Sequence, residues 1–287
     1  YGITGGIPHY INKLEVEDSI KEALLENLFD TSAYLFEEPE NLLKQELREP
    51  AVYNAIITAI ANGANRQNEI ADKAGLERNT CAKYIKVLNS LGIIRRIEPI
   101  ADRSQRKSFY RITDNFFRFW YRFIPGNMTA ISSANIQKTY DAAVGSYLSA
   151  YMGTIFEDMC REYLLAHPEV LPFTISEIGE WWGAHPREKK EIQLDIVAMA
   201  AKPDNSAKGR QFIIGSCKYK NEPVGIDELE LIKDYASVFI KGDDTCSYYM
   251  FSKSGFTKGL REAEANFEVK LFTLEDLYSD LHSRDKM

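Results

Sequence analysis

The sequence predicts an α+β chain of several domains: a helical module, then three helices with a β-hairpin, then an α/β domain. Two patterns and the chain length predict it. Between residues 51 and 112, three apolar periodicities of helical spacing are followed by two short β-rich segments around a basic turn. Past residue 172, strand segments come first and helices then alternate with strands. The 287 residues, 45% of them apolar, are enough for two or three hydrophobic cores.

The first module is expected over residues 1–49. Leu14, Ile20, Ala23, Leu24, Leu28 and Leu35 recur at helical spacing over 12–36, with Asp18 and Ser19 available to cap. Glu37-Glu38-Pro39-Glu40 is expected to break that pattern, and a further helix over 41–49 leads to Pro50.

The second module is expected over 50–125. Val52, Ile56, Ile57 and Ile60 mark one helix, ended at Asn62-Gly63. Residues 67–74 form a second, ended by Gly75. A third, capped by Asn79 or Thr80, turns Cys81, Tyr84, Ile85, Leu88 and Leu91 inward and ends at Gly92. Residues 93–99 and 107–112 read as strands around Asp102-Arg103-Ser104-Gln105-Arg106. This is the order of a winged helix-turn-helix, and the spacing from Ile70-Ala71 through Gly75 to Tyr84-Ile85-Lys86-Val87-Leu88 resembles that of bacterial regulators. Residues 114–124 are an aromatic run, expected to be a buried docking helix rather than a base-stacking platform, and Pro125-Gly126-Asn127 is a boundary candidate.

Charge supports a phosphate-facing middle. Residues 1–50 hold 4 Lys+Arg against 11 Asp+Glu, 51–125 hold 13 against 6, and 126–287 hold 18 against 25. Clustered cations create a local potential that the net charge of −7 conceals. Arg78, Lys83 and Lys86 lie on or just before the third helix, and Arg95, Arg96, Arg103, Arg106 and Lys107 populate the wing. They are the expected DNA contacts, the alternative being a solvated surface on a protein-docking spacer. No stretch approaches the roughly 20 apolar residues that span a bilayer, so no membrane partner is expected. The scattered Cys81, Cys160, Cys217 and Cys246 lack zinc-site or disulfide spacing and fit a reducing cytoplasm. The opening Tyr-Gly-Ile-Thr-Gly-Gly suggests a fragment of a longer chain.

The third module is expected over 126–287, with a helix over 147–166, strands over 173–182, 191–200 and 211–219, then helix 227–239, strand 247–251, helix 258–265 and strand 269–272. Its chemistry concentrates at Asp195, on an apolar strand, and at Ser216-Cys217-Lys218, which closes another. A strand Asp paired with an acid-x-Lys triplet is the pattern of Mg²⁺-dependent nucleases: carboxylates hold the ion, and the Lys orients water or stabilises developing phosphorane charge. Here Ser216 stands where the triplet has its acid. Cys217 alternates away from Ser216 and Lys218 and reads as core.

The element order, together with Ile178-Gly179-Glu180-Trp181-Trp182, Asp195-Ile196-Val197-Ala198 and Gly215-Ser216-Cys217-Lys218-Tyr219, resembles the C-terminal domain of a family of archaeal and bacterial AAA-type ATPases, itself similar to the PD-(D/E)xK nucleases. Thr4-Gly5-Gly6-Ile7-Pro8-His9-Tyr10 looks like the start of the helical lid that follows their nucleotide-binding core. The resemblance implies Glu157 as the helix acid, Asp195 as the main metal ligand and Lys218 as the catalytic Lys, with Asp195 and Glu157 as Mg²⁺ ligands. Gln193 and Ser216 depart from the family pattern, which points to a nuclease-like domain that has lost efficient cleavage. An active Mg²⁺-dependent nuclease and a regulatory scaffold are the alternatives. No Gly-x-x-x-x-Gly-Lys-Ser/Thr occurs, so ATP enters only through a core upstream of Tyr1. The lid and winged helix are also surfaces for a protein partner or a second copy.

Overall fold

The computed structural model describes residues 1–14, 19–100, 107–133, 136–201 and 209–279. Packing divides the chain into two units: Tyr1–Ile97 with Arg106–Leu148, and Glu98–Gln105 with Ser149–Met287. The N-terminal helices and the winged helix thus share one unit, whose end at Leu148 lies well past Pro125-Gly126.

In the first unit, α1 (Pro8–Lys13), α2 (Ile20–Leu28) and α3 (Tyr34–Glu46) lead in. Ser19 caps α2 by accepting from the Glu22 amide. The expected break at Glu37-Glu38-Pro39-Glu40 does not occur: α3 runs through it, with Pro39 inside the helix. Proline forfeits its own amide bond there, and burial of Leu35, Phe36, Pro39 and Leu43 offsets the loss.

The winged helix consists of α4 (Pro50–Ala61), α5 (Gln67–Ala74), α6 (Arg78–Ser90), β1 (Ile94–Ile97) and β2 (Phe109–Ile112). Gly75 ends α5 at φ 68°, the left-handed region that glycine enters without a Cβ penalty. The cap of α6 is Glu77 and not Asn79 or Thr80; its carboxylate accepts from the Thr80 amide at 3.2 Å. β1 and β2 pair antiparallel from Ile94↔Ile112 to Ile97↔Phe109.

α7 (Asn115–Phe123) is the aromatic run, buried almost all round as expected. Trp120 Nε1 donates to the Phe36 carbonyl at 2.7 Å, and Arg118 donates to the Ile112 carbonyl through Nε and Nη2. α7 therefore locks α3 and β2 into one core. The short helices α8 (Met128–Ile131) and α9 (Ile136–Tyr140) follow.

The second unit starts with α10 (Leu148–Ala166), whose first residue closes the preceding unit. Then come β3 (Ile175–Ala184), β4 (Glu191–Ala200), β5 (Gln211–Lys218), α11 (Ile226–Phe239), β6 (Thr245–Ser252), α12 (Lys258–Ala265) and β7 (Lys270–Thr273). The sheet order is β3-β4-β5-β6-β7. β3 to β5 form an antiparallel meander, and β5, β6 and β7 run parallel through the α11 and α12 crossovers. Each face of the sheet has its own core. Phe156, Cys160 and Leu164 of α10 pack on Ile196, Ala198, Ile213 and Cys217. Ala236 of α11 packs with Ile192, Leu194, Val197, Phe212 and Ile214.

These two clusters expose an irregularity in β4. Strict alternation would put Ile192, Leu194, Ile196 and Ala198 on one face. Instead the first two pack with the α11 cluster and the last two with the α10 cluster. The β3–β4 register explains it: Gly179 pairs with Val197 but Trp181 with Leu194, so Asp195 and Ile196 together oppose Glu180. This is a β-bulge, which re-aims side chains and frees backbone groups from the ladder.

Candidate functional site

Asp195 sits in that bulge. Its Oδ2 accepts from the Cys217 amide at 2.9 Å, and its own carbonyl accepts from Arg161 Nη1 of α10 at 2.6 Å. Arg161 is in turn held by Asp158 Oδ1 at 2.7 Å. One buried guanidinium thus clamps the distorted backbone from which the carboxylate projects. Beside it, Gln193 Nε2 donates to Glu180 Oε2 at 3.3 Å.

On β5, Ser216 and Lys218 share the parity of Phe212 and Ile214 and so lie on the α11 face, while Cys217 joins Cys160 in the opposite core. α11 then supplies a carboxylate that the sequence reading did not single out. Glu228 Oε1 accepts from Ser216 Oγ at 2.8 Å and lies 2.9 Å from Lys218 Nζ. Ser216 Oγ is also 3.4 Å from Asp195 Oδ2. Asp195, Ser216, Lys218 and Glu228 form one polar centre.

A hydroxyl has a single proton to donate, and the shorter contact assigns it to Glu228. Burial pushes the Asp195 carboxyl up, with the nearby Glu228 charge adding to it against the pull of Lys218 and the Cys217 amide. Burial opposes the charge on Lys218, yet the Asp195 and Glu228 carboxylates outweigh it and hold the ammonium above its ordinary range.

Glu157 stands on α10, whose apolar stripe covers the face opposite Ser216 and Lys218. Burial pushes the Cys160 and Cys217 thiols up, and the charges of Glu157 and Asp195 add to that. Among the described residues no three His, Cys, Asp or Glu side chains gather to hold a metal ion. Asp195 and Glu228 are already engaged by an amide, a hydroxyl and an ammonium. This donor set does not fit the oxygen-rich shell that Mg²⁺ demands.

In the winged helix, α6 buries Cys81, Ile85 and Leu88. The other side exposes Arg78, Asn79, Lys83 and Lys86, and Arg95 and Arg96 of β1 are exposed as well. Lys107 is partly buried at the start of the second wing segment, and Arg103 and Arg106 lie outside the described residues. No helix among the described residues is long and apolar enough to cross a membrane.

Comparison with known proteins matches two stretches of the chain. A winged helix-turn-helix DNA-binding family model matches residues 55–95. A family described as archaeal and bacterial proteins of unknown function matches residues 120–230. An uncharacterized protein of Methanocaldococcus jannaschii is 28% identical over 286 residues, covering 96% of this chain and 59% of that protein. The chain therefore spans well under two thirds of that relative's length. The crystal structure of NadR in complex with 4-hydroxyphenylacetate matches 54% of this chain and 92% of its own, at 16% identity and a TM-score of 0.20, a likeness too slight to argue from.

Proposed function

We propose that this chain binds DNA through its winged helix and that its α/β domain is a nuclease-like fold that does not cleave. The observation that carries the first part is the exposed polar face of α6, with Arg78, Lys83 and Lys86 opposite the buried Cys81, Ile85 and Leu88. A helix presenting cations on one side can make the phosphate contacts that dominate affinity. The helix, three-strand meander, helix, strand order supports the likeness to PD-(D/E)xK nucleases. The ion pair of Lys218 with Glu228 supports loss of cleavage, because it engages the lysine and the nearest acid with each other. Membership of a larger AAA-type ATPase, with ATP bound upstream, belongs to the same proposal and rests on the Thr4 to Tyr10 resemblance.

Glu228 also favours a second reading. It places a carboxylate against Ser216, where the triplet lacks its acid, so the centre could serve a Mg²⁺-dependent nuclease if Lys218 released it. Labelled single-stranded, duplex and branched DNA incubated with Mg²⁺ or Mn²⁺ separates the two. Binding without cleavage is the expected result. Cleavage abolished by Asp195→Ala and by Glu228→Gln would establish the nuclease instead.

A further inference from the structure

The middle of the exposed face of α6 begins with an uncharged residue. At 3.6 residues per turn, the line opposite the buried Cys81, Ile85 and Leu88 is occupied by Asn79, Lys83, Lys86 and Ser90, all exposed. Arg78 lies to the side of this stripe. In a helix-turn-helix the N-terminal residues of the second helix contact base edges, and Asn79 is the member of the stripe that stands in the first turn of α6.

Glu77 gives an independent reason to place this end of the helix in a groove. Its carboxylate accepts from the Thr80 amide and from Thr80 Oγ1, each at 3.2 Å, and the Asn79 and Thr80 amides hold the carboxyl below its ordinary range. A negative charge therefore sits where a bare helix terminus would attract a phosphate. The cap also occupies the Thr80 hydroxyl. Asn79, by contrast, carries a side-chain carboxamide, which offers a donor and an acceptor together. That pair matches N7 and N6 of adenine in the major groove. Lys83 and Lys86 have donors only and suit phosphate oxygens.

We infer that Asn79 reads an adenine in the major groove of duplex DNA, with Lys83 and Lys86 holding the neighbouring phosphates. The inference rests on the DNA-binding reading and adds a sequence preference to it.

The test takes the whole chain and a pool of random-sequence duplexes, from which repeated capture returns the preferred site. A site containing an A·T pair is expected. Exchanging that pair for G·C should weaken binding roughly 5- to 150-fold, the discrimination of one bidentate contact. Replacing its adenine by 7-deazaadenine, which pairs normally but lacks the N7 acceptor, should weaken binding in the same direction. In Asn79→Ala both penalties should vanish, while the penalties at other positions and the salt slope stay as they were. A contact to phosphate alone would instead weaken Asn79→Ala by the same factor on every sequence, and that result overturns the inference. So does a pool that yields no preferred sequence from a chain that binds, or an Asn79→Ala preference identical to that of the unsubstituted chain. The DNA-binding reading fails separately, when no duplex is bound at any salt concentration. Because Asn79 is exposed, the variant should melt as the unsubstituted chain does, and thermal melting checks that it is folded.

Discussion

Lys218 Nζ lies 2.9 Å from Glu228 Oε1, and the same oxygen accepts from Ser216. An acid from α11 is brought to the end of β5 and is satisfied by the strand itself. Glu228 and Lys218 neutralise each other, which makes the pair accessible to single substitutions.

Glu228→Gln removes the charge that both Ser216 and Lys218 face. Charge-assisted hydrogen bonds of partly buried groups contribute about 1.5–3 kcal/mol each, so a loss of about 2 kcal/mol in denaturant unfolding is expected. Lys218 should also become a weaker base, read as faster acylation of its amine at a fixed alkaline pH. An unchanged labelling rate would show that the ion pair does not hold in solution.

Asp195→Asn tests the burial of the carboxyl. The folded-state pKa of Asp195 is raised above its ordinary value, so the folded chain binds the extra proton and this group's contribution to stability falls as pH rises through the folded pKa. The neutral amide keeps an oxygen for the Cys217 amide and escapes the penalty. Relative to the unsubstituted chain, the variant should gain stability with rising pH above the ordinary carboxyl range, and melting curves across that range would show it. A gap that widens instead toward acid would reverse the assignment.

Gly75→Ala isolates backbone conformation. At φ 68° an added Cβ meets nothing within 4 Å, so the cost is the left-handed conformation alone, about 1–2 kcal/mol. Unfolding midpoints should fall accordingly. A neutral result would mean that α5 ends differently in solution.

Lys83→Ala and Lys86→Ala should each lower the salt slope of DNA binding by roughly 1 and weaken it uniformly across sequences. Retention of affinity by the double variant would favour the protein-docking use of the winged helix.

Trp120→Phe leaves the buried Phe36 carbonyl without its 2.7 Å donor, at about 1–3 kcal/mol. The loss should appear in the melting of the first unit.

Much of this was legible from residue spacing, and the failures have physical causes. Strand and helix periods placed β4, β5 and α12 within a residue of their observed bounds. Pro39 misled because local propensity was weighed without the tertiary burial that carries α3 through it. Glu77 escaped notice as a cap because Glu is an uncommon one. Glu228 was missed because it lies past the triplet, among the ordinary acids that open a helix; only the α11 crossover onto the Ser216 face gives it meaning. The two-faced alternation of β5 correctly sent Cys217 into the core, but nothing in the spacing of β4 signals its extra residue.

That extra residue makes β4 a gearbox between layers. Residues before Asp195 answer to α11 and those after Ile196 to α10 on the same parity. A β4 one residue shorter at that point would run as a plain alternating ribbon with Val197 still on the α11 side and Ala198 still on the α10 side, losing only the irregularity from which Asp195 projects. The extra residue therefore serves the setting of Asp195 rather than the sorting of the two cores.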